Sequence, residues 1–185
     1  GLIAHRCGDV RIEGLRVEPS GSRVMSTNCD ATHFISCSGE IRIARCVFRG
    51  MGDDAANVHG FYLTVRRIEG CRVIVSLDVA PQDFEMDLPD PGDQLELVRS
   101  DTLLPYGTGT VLQVFWDGIS RQAELELSGD FMPQAAVGDL LTNRSKAARL
   151  VFEDNTAENI RGRALLVQTR HAVVRDNRFV HCTGQ

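Results

Sequence analysis

Residues 40–50 read "EIRIARCVFRG", and the same design recurs in "DVRIEGLRVEP" (9–19), "TVRRIEGCRVIV" (64–75), "RLVFEDNTAEN" (149–159) and "HAVVRDNRFVH" (171–181). Each segment has an apolar position, a short Gly/Asp/Arg corner, a stacking residue, and a second apolar position two further on. The triplets are Ile12, Leu15, Val17; Ile43, Cys46, Phe48; Ile68, Cys71, Val73; Phe152, Asn155, Ala157; and Val174, Asn177, Phe179. Short alternating strands broken by polar corners, recurring at about 20–30 residues, are the signature of a coiled repeat. Long runs of helical periodicity do not appear. The pattern predicts an all-β protein built on a right-handed parallel β-helix, in which neighbouring rungs stack like residues. An antiparallel sandwich is the competing architecture, and five matching segments disfavour it.

The period breaks after "CRVIVSLD" and resumes at "ARLVFEDN". Between them lie alternating strands with Pro and Gly turns and two "GD-x-L" openings, at Gly92-Asp93 and Gly138-Asp139. Closely spaced strands of this kind predict a small antiparallel β-barrel inserted in a loop. The expected organisation is rungs over 1–75, the inserted barrel over 76–148, and rungs again over 149–185. Trp116 in the insertion reads as a packing residue ahead of a sugar platform. "NRS" at Asn143 matches a glycosylation sequon.

Composition narrows the function classes. The 185 residues are 43% hydrophobic and 24% charged, enough for a real core, and the formal charge is −5. Lys146 is the one lysine and the arginines are scattered, so no basic stripe exists for nucleic acid. No apolar run reaches the roughly 18–20 residues of a membrane span. The first residues, "GLIAHRCGDV", carry neither an initiator Met nor a signal-peptide design, and read as the middle of a longer protein. The six cysteines have no zinc-like spacing and read mainly as small buried residues.

Two polar knots stand out between the strands. "STNCDATHFISC" (26–37) holds Asp30 and His33, and "GMGDDAANVHGFYL" (50–63) holds Asp53, Asp54 and His59. Equivalent side chains on successive rungs lie only about 4.7–4.9 Å apart, so the three carboxylates are expected to be neighbours. Their mutual repulsion would favour a retained proton on at least one. One acid beside ionised bases is what glycosidic cleavage requires. Two other readings compete: turn aspartates capping backbone amides, and a calcium site, against which the histidines argue.

The strings "STNCDATHF" and "GMGDDAANVHG" closely resemble the family 110 glycoside hydrolases, β-helical exo-α-galactosidases that cleave α-1,3-linked galactose, including the blood-group B determinant. A looser likeness, "N-x-D" then "DD" then His-Gly, extends to the β-helical polygalacturonases of family 28, whose three aspartates work as an inverting set. The first resemblance implies an inverting exo-glycosidase needing no metal or organic cofactor. It makes Asp53 the general acid, with Asp30 and Asp54 holding and activating water. It also implies that Asn28, His33, Asn57 and His59 orient sugar hydroxyls. Further along, "VQTRHAVV" places Arg170 near the same lateral position of a later rung, as a candidate galactose contact or an exposed salt-bridging residue.

The expected partner is a galactose-terminated oligosaccharide or glycoconjugate, and an exposed end of the repeat offers a surface for a second copy. The resemblance places such an enzyme in the periplasm or outside the cell. Members of that family are much longer than this chain, which reads as a fragment. The enzyme alternative is a β-helical polysaccharidase or lyase for acidic glycans, which would want a cationic groove. The non-enzyme alternative is a carbohydrate-binding β-helix module, which would want exposed aromatic platforms. Only 6% of residues are aromatic.

Overall fold

Residues aligned by the repeat are aligned in space. Ile12, Ile43, Phe152 and Val174 sit side by side on parallel strands, as do Val17, Phe48, Ala157 and Phe179. The computed structural model describes residues 1–77, 87–129 and 134–183. Parts of the expected insertion, 78–86 and 130–133, lie outside the described residues, as do 184–185. The chain is all-β and divides into two compact units, 1–60 with 147–185, and 61–146.

The first unit visits three parallel sheets in turn. One circuit runs through β1 (Leu2–His5), β2 (Val10–Glu13) and β3 (Arg16–Val17), and the next through β4 (Thr32–Ile35), β5 (Glu40–Ala44) and β6 (Val47–Arg49). A third begins with β7 (Ala56–His59). The barrel supplies β8 (Tyr62–Glu69), β9 (Arg72–Ser76), β10 (Gln94–Val98), β11 (Pro105–Asp117), β12 (Gln122–Ser128) and β13 (Leu140–Asn143). The circuits resume with β14 (Arg149–Glu153) and β15 (Thr156–Ile160), then β16 (Leu165–Gln168), β17 (Arg170–Arg175) and β18 (Arg178–Cys182). The resulting sheets are ordered β1-β4-β7-β16, β17-β14-β5-β2 and β18-β15-β6-β3.

Inward positions make the core: Phe34, Ile41, Ile43, Phe48, Leu150 and Phe152 are fully buried. Each such side chain contributes about 1.5–3 kcal/mol. The rings of Phe48 and Phe152 stack with centroids 6.4 Å apart. Outward arginines and glutamates pair across circuits, as in Arg49 with Glu18 and Glu158 and Arg175 with Glu153.

The corner between the second and third sheets is a left-handed residue in every circuit: Gly14, Arg45, Asp154 and Asp176 all have φ between 55° and 65°. That bend turns the next amide off the strand ladder, and the stacking residue restores its partner. Asn155 Oδ1 accepts the Cys46 amide at 2.8 Å, and its Nδ2 donates to the Ile43 carbonyl at 3.0 Å. Asn177 repeats both bonds one circuit on, with the Asn155 amide and the Phe152 carbonyl.

Segment 64–75 departs from expectation. β8 and β9 form an antiparallel hairpin through Gly70, with Ile68 opposite Val73, inside a closed barrel ordered β10-β11-β12-β9-β8-β13. Alternating apolar residues around a glycine corner suit a hairpin as well as a circuit corner. Cys71 is therefore an exposed turn residue, and the barrel unit starts at Phe61, not at Ser76.

Inside the barrel the two "GD" openings repeat one geometry. Asp93 Oδ2 accepts the Asp90 amide and the Asn143 side-chain amide, and Asp139 Oδ2 accepts the Ala136 amide and the Tyr106 hydroxyl. The sequon asparagine thus spends its amide on a buried carboxylate. Trp116 packs against the barrel core. All six cysteines are free thiols, and burial pushes those of Cys37, Cys46 and Cys182 up. Among the described residues, no helix is long and apolar enough to cross a membrane.

Asn155→Ala removes the side-chain acceptor of the buried Cys46 amide and one donor to the Ile43 carbonyl, so urea unfolding should show a loss of about 1–3 kcal/mol.

Candidate active site

On the first sheet, Thr32, Ala56 and Leu165 lie side by side on β4, β7 and β16. Two residues before each come Asp30, Asp54 and Arg163, and between them the buried small residues Ala31, Ala55 and Ala164. The aspartates are therefore one column on successive circuits, and the next member of that column is an arginine. The Asp54 amide donates to Asp30 Oδ1 at 2.9 Å, and the Arg163 amide donates to Asp54 Oδ1 at 2.7 Å. This is the device of the asparagine corners, built here from carboxylates.

Asp54 has no exposed surface, and its charge is met by a fork from Arg163. Nε donates to Oδ1 at 2.9 Å and Nη2 to Oδ2 at 3.0 Å. Such two-point pairing is the strong form of this contact, and the Asp54 carboxylate in return pushes the Arg163 pKa up. Asp53 belongs to the preceding column, between Cys29 and Gly162. It is exposed because its neighbour in the next circuit has no side chain: a Cβ on Gly162 would stand 2.6 Å from the Asp53 carbonyl carbon and 2.9 Å from Oδ1. Gly50 is left-handed at φ 70°, whereas Gly52 is needed for space, its missing Cβ lying 2.7 Å from the Asn28 carbonyl oxygen.

The structure brings Asp30, Asp53 and Asp54 together, one oxygen of each lying within 4.8 Å of the others. Calcium wants about six to eight oxygens. Here Arg163 already takes both oxygens of Asp54, so the carboxylates fit a guanidinium better than a calcium ion.

Asp30, 8% exposed, is held at both oxygens. Oδ1 takes the Asp54 amide, and Oδ2 takes Nδ1 of His33 at 2.9 Å and Nδ2 of Asn57 at 3.4 Å. His33 and His59 occupy outward positions on β4 and β7 and meet through Nε2 atoms 2.7 Å apart, while His59 Nδ1 lies 3.1 Å from the Gly60 carbonyl oxygen. Burial pushes the His33 imidazole down, against the upward pull of Asp30. Asn57 is also buried, and its Oδ1 has no partner.

The other expected residues are placed differently. Asn28 is exposed and lines an open hollow of about 400 Å³ with Gly1, Met25, Ser26, Thr27 and Cys29. Arg170 opens β17 on the second sheet, in register with Arg149. The guanidinium at the carboxylates is that of Arg163, which the sequence reading missed. Its signal was the string "RALLVQ", which aligns with "DATHFI" and "DAANVH" through the shared alanine.

The relatives of this chain carry the names of sugar-cleaving enzymes. Alpha-1,3-galactosidase B of Bacteroides fragilis is 31% identical over 196 residues, covering 100% of this chain and 33% of that protein. The protein of the same name from Phocaeicola vulgatus is 30% identical, with 100% and 32% covered. Alpha-1,3-galactosidase A of Shewanella woodyi is 32% identical over 121 residues, 64% of this chain and 18% of that protein. No protein-family model matches the chain. The chain is thus related along its whole length to curated α-1,3-galactosidases, as the "DDAANVHG" resemblance implied, and spans about a third of the length of the first two.

Arg163→Ala leaves the Asp54 carboxylate buried without its counter-charge. Thermal or urea unfolding should show a loss of about 3 kcal/mol, and an unchanged midpoint would show that Asp54 does not depend on the fork.

Proposed function

We propose that the protein containing this chain is an inverting exo-glycosidase that hydrolyses terminal α-1,3-linked galactose, and that the first unit is a right-handed parallel β-helix carrying its active site. The observation that carries the proposal is the convergence of Asp30, Asp53 and Asp54 in a chain related throughout to α-1,3-galactosidases. The repeated visits to three parallel sheets support the β-helix.

Asp53, the exposed member, protonates the leaving oxygen as the bond to the anomeric carbon breaks and its electron pair passes to that oxygen. Asp30 takes the proton from a water that adds to the opposite face. Asp54, with Arg163, fixes the spacing of the other two. Asn57 has an unpartnered acceptor suited to a sugar hydroxyl, and Asn28 lines the adjoining hollow. Arg170 stays a candidate contact on the neighbouring sheet. The polysaccharidase reading loses ground because Arg49, Arg163 and Arg175 are spent on carboxylates. The binding-module reading explains neither the carboxylate convergence nor the buried ion pair.

Inverting pairs usually stand about 6.5–9.5 Å apart and retaining pairs about 5–5.5 Å. One oxygen of each aspartate lies within 4.8 Å of the others, a closeness that supports a second reading: retention, with Asp30 as nucleophile. Inversion is preferred because both Asp30 oxygens are occupied and largely buried, which suits a small water better than direct attack on a sugar. Proton NMR of galactose released from an α-1,3-galactosyl disaccharide by the intact protein separates the two. β-Galactose appearing first supports inversion, and α-galactose appearing first supports retention. Asp53→Asn should slow release by at least about 100-fold, and undiminished release would remove Asp53 from the mechanism.

A further inference from the structure

We propose that His33 and His59 form a proton relay from Asp30: His33 takes over the proton that the carboxylate has accepted from water, His59 gives one up to solvent, and neither is a sugar ligand. The role rests on the hydrolase reading; the relay itself rests on three contacts. These are Asp30 Oδ2 with His33 Nδ1 at 2.9 Å, Nε2 with Nε2 at 2.7 Å, and His59 Nδ1 with the Gly60 carbonyl oxygen at 3.1 Å.

Hydrogen counting shows what the contacts can do. Three bonds need three hydrogens, and two neutral imidazoles bring two. The Gly60 carbonyl only accepts, so its bond needs a hydrogen on His59 Nδ1. The chain is filled only when it holds one additional proton, and then two arrangements satisfy every bond. In one, Asp30 is ionised, His33 carries its hydrogen at Nδ1, and His59 is doubly protonated. In the other, Asp30 carries a proton, His33 has its hydrogen at Nε2, and His59 has its hydrogen at Nδ1. They interconvert by two concerted transfers, from His59 Nε2 to His33 Nε2 and from His33 Nδ1 to Asp30 Oδ2. No heavy atom moves, and an ion pair becomes three neutral groups.

His33 is uncharged in both forms, which agrees with the burial that pushes its pKa down. The charged groups that act on His33 besides Asp30 and His59 are Asp53 and Asp54 from the corner before β7, and Arg163 from the corner before β16 is paired with Asp54. His5 lies in the row of Ile35 and His59 on the same sheet. Gly60, the terminal acceptor, is the last residue of the first unit before the barrel. With both nitrogens of each ring engaged in this chain, a sugar hydroxyl would have to break the chain to bind either histidine.

The test uses the intact protein with nitrogen-15-labelled histidine, titrated by NMR from about pH 5 to about pH 8. The relay predicts that the His33 and His59 ring signals move in one shared step, with His33 never showing the doubly protonated signature. Two independent titrations would overturn it. In parallel, His59→Gln keeps a donor to His33 Nε2 but cannot exchange a proton. Its kcat should fall on the order of 10-fold with one limb of the pH profile flattened and KM unchanged. A raised KM with an unaltered pH profile would mark a sugar ligand and sink the relay. If the unmodified protein releases no galactose, the hydrolase reading fails while the NMR titration still decides the relay.

Discussion

Parallel pairing at about 4.8 Å per strand places each residue against its counterpart in the next circuit, and the rest of the first unit follows from that constraint. It makes the core easy, because apolar residues fall on apolar residues. It makes corners and charges hard, because an unpaired amide or an acid is repeated as readily as a phenylalanine. The corner asparagines solve the first difficulty, each accepting the amide of its counterpart. The aspartate column solves the second with the same backbone bond and then ends on an arginine. Site and scaffold are therefore one construction: a corner that elsewhere carries a neutral amide carries a carboxylate here.

Much of this was legible in the sequence because stacking is a local rule. The triplets around Cys46, Asn155 and Asn177 could be aligned by eye, and the registers agree with them residue by residue. The rule misled at 64–75, where Gly70 closes a hairpin. Strand alternation and a glycine corner are shared by both structures, and only pairing partners far along the chain tell them apart. Arg163 was hidden for the same reason in reverse. Its column partner Asp54 lies 109 residues earlier, across the barrel, and a basic residue does not suggest itself as the continuation of an acidic series. The shared alanine was the available clue, since Ala31, Ala55 and Ala164 are buried at the same place in each circuit.

The histidines show a different limit. The resemblance implied hydroxyl contacts for them, and nothing in the strings "THFI" and "NVHG" says that the two rings meet. His33 is in register with Asn57, and His59 with Ile35, so the contact is diagonal across two strands. Diagonal neighbours depend on side-chain direction as well as register.

The 109-residue separation between Asp54 and Arg163 also has a temporal meaning. A ribosome working at about 5–20 residues per second releases Asp54 roughly 5–20 s before its partner. Through that interval the carboxylate lacks the Arg163 guanidinium that meets its charge in the folded unit. The circuits on the two sides of the barrel join only after that wait, so the order of synthesis makes the acid cluster one of the last parts of the unit to assemble.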